Sequence, residues 1–159
     1  MIKKIVGVAL ISAALMSAPS AQNTAGDPNF GTVSLSSGFQ PDPTTISVIS
    51  GGSIDSSNLL KGSTSCNGYI SNAPDVRLNF SAGSGSLPLI ISANASEDTT
   101  LIVNAPDGNW YCNDDGGNGL NPSVRFNNPQ SGRYEVWIGT YGANSNYSAV
   151  LHISELSSQ

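Results

Sequence analysis

Residues 98–141, DTTLIVNAPDGNWYCNDDGGNGLNPSVRFNNPQSGRYEVWIGTY, carry the pattern from which the fold is read. Two strand-like runs, 99–104 and 108–112, flank Ala105-Pro106-Asp107-Gly108. Proline followed by Asp-Gly has the chemistry of a tight reversal, so the spacing predicts a hairpin. A loop crowded with Asp, Asn and Gly follows, then a strand at 123–126, then the longest alternating run in the chain. In that run Tyr134, Val136 and Ile138 share one side and Arg133, Glu135 and Trp137 the other, the period of a half-buried strand. The alternation places Trp137 outside the main core or under a loop.

Working outward, residues 32–35 and 45–49 read as short strands around the Pro41-Asp42-Pro43 turn, where two prolines rule out helix. Residues 50–65 are rich in Gly and Ser and read as loop, with Leu59 and Leu60 pinned to the core. Val76, Leu78 and Phe80 alternate with Arg77 and Asn79, while 87–93 is more continuously apolar and suits a central strand. Tyr147, Ala149, Leu151 and Ile153 close the series. Eight or nine short strands separated by regular turn signals predict an all-β fold, a single antiparallel, jelly-roll-like β-sandwich over residues 31–159.

The ends set the compartment. Lys3 and Lys4 precede an apolar stretch, 5–16, long enough for a secretory signal and too short to span a bilayer. Small residues at 17–21 follow, so residues 1–21 are expected to be removed near Ser20 or Ala21, with 22–30 a flexible leader. Loss of the two lysines leaves four Lys/Arg against eleven Asp/Glu, a formal charge of −7. That acidity argues against nucleic-acid binding and against attraction to anionic lipid, and no later segment predicts membrane insertion. The expected location is secreted or periplasmic. In an exported chain the two cysteines, Cys66 and Cys112, are most simply read as one disulfide, the alternative being two separate thiols.

The order DTTLIVNAPDG, WYCNDDGG, LNPSVRF and SGRYEVWIGTY resembles the bacterial pre-peptidase C-terminal domain family. Upstream, GFQPDP, SCNGYI and APDVRLNF resemble its stand-alone secreted form, often labelled as peptidase. The resemblance implies a small β-sandwich associated with extracellular peptidase systems, and calcium held at acidic positions around the DTT and DDGG motifs.

The residues point to a cation independently. No Lys, Arg or His lies between Leu78 and Val124, yet that stretch holds Glu97, Asp98, Asp107, Asp114 and Asp115. Carboxylates gathered without a cation repel one another, and Ca²⁺ takes six to eight oxygens from such loops. The expected ligand set is Asp98, Asn104, Asp107, Asn113, Asp114 and Asp115. The alternative is that Asp107 and Asp114 only make turns and Asx caps. Trp110, Trp137 and Tyr141 form a possible ligand surface for a protein, peptide or polysaccharide, set against aromatic packing in the sandwich.

A serine-protease triad needs a histidine base, and the only histidine, His152, is expected to face solvent on an alternating strand. No G-x-S-x-G elbow occurs. A carboxylate pair for glycoside hydrolysis would have to come from Asp107, Asp114 and Asp115, in a loop that reads as hydrated. The expected function is therefore a secreted, non-catalytic accessory or binding module, calcium-stabilised. The alternatives are a peptidase-related enzyme and a subunit that self-assembles through exposed strand edges, with residues 147–154 the candidate edge.

Overall fold

The computed structural model describes residues 22–59, 66–85 and 87–159. The proposed signal segment and Leu60 lie outside the described residues. Among the described residues there are eleven strands: β1 Thr32–Ser36, β2 Thr44–Ile49, β3 Ile54–Asp55, β4 Tyr69–Ile70, β5 Val76–Ser81, β6 Leu89–Ala95, β7 Thr99–Asn104, β8 Trp110–Asn113, β9 Ser123–Phe126, β10 Gly132–Thr140 and β11 Ser148–Ser154. β3, a 3-10 turn Ser56–Asn58 and β4 fall within or beside the Gly/Ser-rich stretch read as loop. β3 and β4 are two residues each, too short to leave a period-two signal.

The strands form two packed sheets. In the larger, β1, β5 and β10 lie side by side, and β7 then β8 continue beyond β10. β4 and β3 extend the β5 side of β10 past the end of β5. The smaller sheet has the order β2-β11-β6-β9. All pairings are antiparallel except β1 with β5, which run parallel with Thr32 opposite Arg77. The exception follows from connectivity: the chain crosses from β1 to the other sheet at β2 before returning to place β5.

The predicted alternation is realised in the core. Val76, Leu78, Phe80, Leu101, Val103, Tyr134, Val136 and Ile138 of the larger sheet meet Val48, Leu89, Ile91, Ala93, Val124, Ala149, Leu151 and Ile153 of the smaller. Burial of such side chains, worth about 1.5–3 kcal/mol each, is the main stabilising term. β7 is buried on nearly its whole length because its other face is covered too. There Ile102 and Trp137 pack with Ile70 and Cys66 in a second core, joined by Ile54, Leu59, Trp110 and Cys112. Trp137 thus lies under a loop, on the side opposite Val136 and Ile138, as its register predicts.

Residues 22–30, expected as a flexible leader, are hydrogen-bonded to the sandwich. The Gln22 amide donates to the Ser71 carbonyl and to the Asn72 carbonyl at 2.7 Å. Arg77 Nη2 donates to the Thr24 and Gly26 carbonyls at 3.2 and 2.8 Å. The same guanidinium meets buried Glu135 through Nε at 2.7 Å, and Arg133 approaches the same oxygen at 2.8 Å. A polar composition hides this docking because the leader is held by its backbone carbonyls, which carry no sequence signature.

β11 is not an edge. It pairs with β2 on one side and β6 on the other, so residues 147–154 have no free strand edge to offer. The outer sheet edges are β1, β2, β8, β9 and the short β3.

Candidate functional site

The β7–β8 hairpin sorts the six expected calcium ligands into two groups. Its register sets Asn104 opposite Trp110 at the turn end and Leu101 opposite Asn113 at the open end. Asp98 precedes β7, and a strand rises about 3.3 Å per residue, so Asp98 and Asn104 stand about 20 Å apart. The six residues therefore do not form one site. Among the described residues, no three His, Cys, Asp or Glu side chains stand together as a ready-made metal cluster.

At the turn end the Asx reading holds. Gly108 N donates to the Ala105 carbonyl at 2.9 Å and Ala105 N to the Asn109 carbonyl at 3.0 Å, closing a three-residue loop with Gly108 at φ +78°. Asp107 Oδ1 accepts from Asn109 N at 2.9 Å, and Oδ2 from Asn109 Nδ2 at 3.0 Å and Tyr111 Oη at 2.8 Å. Burial acts to raise this carboxyl, but the bonds from Asn109 and Tyr111 outweigh it and hold it below the usual range. Asn104 Nδ2 donates to the Gly108 and Asn109 carbonyls. Asp107 and Asn104 build the turn, and their distance from Asp98 removes them from a shared cation site.

At the open end Asn113 is also a turn residue, its Oδ1 accepting from Gly116 N at 2.6 Å and Ser123 N at 2.9 Å. Asp114 Oδ2 accepts from Tyr141 Oη at 2.5 Å, and its Oδ1 from Asp115 N at 3.1 Å. The bond to Asp114 pushes the Tyr141 hydroxyl up to about 12. Asp98 differs from the rest. Its Oδ1 is buried with no hydrogen-bond partner among the described residues. Desolvation, followed by the charges of Asp115 and Asp114, raises its carboxyl. An unpaired buried carboxylate oxygen facing two more carboxylates is an electrostatic deficit.

The aromatic surface does not form. Trp137 is fully buried, and Trp110 is half-buried against it with ring centroids 5.4 Å apart. Tyr141 is exposed, but follows the end of β10 at Thr140, which pairs with Thr99, whereas Trp110 lies across from Asn104. The two accessible rings are thus at opposite ends of β7. Cys66 and Cys112 are joined, with Cα atoms 5.2 Å apart, and tie the segment before β4 to β8 over Trp137.

His152 is not fully solvent-facing. It is half-buried, its Nδ1 is enclosed without a partner among the described residues, and burial lowers its pKa. Its strand neighbours are Thr45 and Ser92. Residues past β11 turn back over this face, with Gln159 N donating to Ser92 Oγ at 3.1 Å. No hydroxyl or carboxylate among the described residues is hydrogen-bonded to the imidazole. Asp107, at the far end of the hairpin, is likewise out of reach of a carboxylate pair with Asp114 or Asp115.

Three side chains make hydrogen bonds that the sequence pattern does not disclose. Tyr141 was placed with the aromatics, whereas its hydroxyl serves the acidic loop. Asp75, buried, accepts from Ile138 N at 2.8 Å through Oδ2, and from Asn29 Nδ2 and Ser71 Oγ through Oδ1. Glu155 accepts from Ser37 Oγ and Gly38 N, both at 2.7 Å. Only the last two follow a discernible cue, each standing immediately beside an alternating strand.

No protein-family model matches the chain, and no curated protein matches it.

Proposed function

We propose that this chain is a non-catalytic β-sandwich module of the exported compartment, of the pre-peptidase C-terminal kind, stabilised by calcium. Its role is that of an accessory to extracellular peptidases, or of a binding module for a protein, peptide or polysaccharide. The buried, unpartnered Asp98 Oδ1 beside Asp114 and Asp115 carries the reading. Ca²⁺ supplies positive charge that three carboxylates with no neighbouring Lys or Arg among the described residues lack, and it accepts irregular oxygen sets completed by carbonyls and water. These three carboxylates do not stand together as a ready-made cluster, so the ion would be held by Asp98 with Asp114 or Asp115 and by carbonyls and water, and Tyr141 would orient Asp114 through its hydroxyl. The Cys66–Cys112 disulfide suits an oxidising location.

The absence of turnover rests on the surroundings of His152, which among the described residues lacks the hydrogen-bonded nucleophile and orienting carboxylate that acyl transfer needs. Casein hydrolysis and labelling by a fluorophosphonate probe test that half of the reading, with neither expected; stoichiometric labelling of any serine would refute it. The metal half is tested by variants. Asp98→Asn should abolish most of the calcium-dependent rise in melting temperature, whereas Asp107→Asn should keep it. An equal loss from both would return Asp107 to the site and contradict the division made here.

A further inference from the structure

Among the described residues four glycines follow Asn or Asp: Gly68, Gly108, Gly116 and Gly119. Such pairs share a latent reaction, in which the glycine amide nitrogen attacks the preceding side-chain carbonyl carbon. Glycine permits it because no Cβ shields the nitrogen and the backbone turns freely. An ionised carboxylate resists attack, whereas an asparagine amide can leave as ammonia. Asn67 and Asn118 are therefore the reactive members, and the fold treats them differently.

Gly108 N is committed to the Ala105 carbonyl at 2.9 Å, and Gly116 N to Asn113 Oδ1 at 2.6 Å. Gly68 is clamped through its other atoms. Its carbonyl accepts from Ser56 N at 2.9 Å and from Ser56 Oγ at 2.8 Å. A Cβ at Gly68 would meet Thr100 Oγ1 at 2.6 Å and the Thr140 carbonyl at 2.9 Å. Cys66, just before this pair, is fully buried in the disulfide. The peptide between Asn67 and Gly68 thus cannot rotate to close a ring unless the outer core opens.

Asn118 and Gly119 escape these restraints. Both are exposed, and Gly119, at φ +68°, has no atom beyond its chain neighbours within 4 Å of a would-be Cβ. Neither Gly119 N nor the Asn118 side chain is hydrogen-bonded among the described residues. The pair opens a turn that is closed by one long bond, from Asn121 N to the Asn118 carbonyl at 3.3 Å. Asn118 N donates to the Gln159 carbonyl at 2.8 Å, so the same residue also ties the loop to residues past β11.

We infer that Asn118 is a self-modification site, at which the folded chain deamidates and isomerises through a succinimide. Gly119 N bonds to Asn118 Cγ, the Cγ–Nδ2 bond breaks, and Nδ2 leaves as ammonia with the Gly119 amide proton. Water then opens the ring. Attack at Cγ restores the main chain and leaves aspartate. Attack at the α-carbonyl carbon leaves isoaspartate, with the main chain routed through Cβ and Cγ. Either product adds a negative charge to the loop that carries Asp114 and Asp115. Isoaspartate also lengthens the backbone by one atom inside the turn, and so displaces its bonds to Asn121 and Gln159. The reaction consumes water alone and is independent of the calcium reading.

Peptide mapping by mass spectrometry tests this on the folded, disulfide-intact chain, aged in mildly alkaline water enriched in heavy oxygen. The expected result is loss of the amide at Asn118 with uptake of heavy oxygen, aspartate and isoaspartate being told apart by fragmentation. Asn67 should react at least about tenfold more slowly, because its reaction awaits local opening. In chain reduced and unfolded in urea the two asparagines should react at comparable rates, since the fold and not the dipeptide makes the choice. Asn118→Gln should remove the acidic product, and Gly119→Ala should slow its formation. An Asn118 amide that stays intact in the folded chain after many unfolded-state lifetimes would overturn the inference. So would equal rates at Asn67 and Asn118 in the folded chain.

Discussion

Asp75 stands where β10 changes neighbours. β5 accompanies β10 only as far as Val76 opposite Val136, and β4 resumes at Tyr69 opposite Thr140. Between them Asp75 N donates to the Val136 carbonyl, Asp75 Oδ2 takes the Ile138 N–H, and Gly51 N caps the Ile138 carbonyl. A carboxylate thereby replaces a strand's backbone. Burial outweighs these hydrogen bonds and raises Asp75 to about 6 from 3.8. A raised folded-state pKa means that the native chain holds the proton more tightly than the unfolded one. Stability should therefore increase as pH falls from neutrality through about 6 toward 3.8, and be lost as pH rises back through that window. The gain from Asp75 is at most about 3 kcal/mol. Glu135 and Asp98, also raised, act in the same sense, whereas Asp107, lowered, loses its contribution only below 3.8. Urea unfolding across this range should show the rise, and Asp75→Asn should flatten it; an unchanged slope in the variant would assign the effect to other groups. Little of this was legible in the sequence. Asp75 precedes a strand like many turn aspartates, and its partners Asn29, Ser71 and Ile138 are distant in the chain. Trp137, in contrast, was placed correctly by register alone.

At the scale of the element, the β7–β8 hairpin was the most legible part of the molecule. Pro106-Asp107-Gly108 specifies a turn by local chemistry, and local chemistry does not depend on the rest of the chain. Gly108 adopts φ +78° with no atom near a would-be Cβ, so Gly108→Ala introduces backbone strain without a clash. That substitution should cost about 1–2 kcal/mol. Asp107→Ala, which removes the acceptor for Asn109 and Tyr111, should cost about 0.5–2 kcal/mol. Chemical denaturation measures both, and either variant matching the parent in stability would mean that the turn is held by its strands alone. The acidic loop was read as one site because spacing along the chain does not show that a hairpin carries its turn away from its open end. The short β3 and β4 were missed for a related reason. Their partners β10 and each other are far in sequence or too brief to impose a period.

Across the whole molecule, two cores share the larger sheet, and the disulfide belongs to the outer one. Closing a loop across 46 residues restricts the unfolded chain by about 4 kcal/mol in the chain-entropy model. Reduction should lower the unfolding midpoint accordingly and shift tryptophan emission to the red, as Trp137 and Trp110 lose the cover that Cys66 brings to them. A midpoint insensitive to reductant would show that the outer core stands without its clasp. Composition made the sandwich legible through alternation and turn spacing, and the even cysteine count anticipated the pairing. Which strands lie at the edges depended on topology, which no local pattern encodes. The central functional claim concerns the charge left unbalanced at Asp98, Asp114 and Asp115. Isothermal titration of calcium into chelator-stripped protein tests it most directly. The account predicts one ion per chain and, at a hundredfold excess over the Kd, about 2.7 kcal/mol of added stability. No binding heat, with identical melting in millimolar calcium and in chelator, would contradict it.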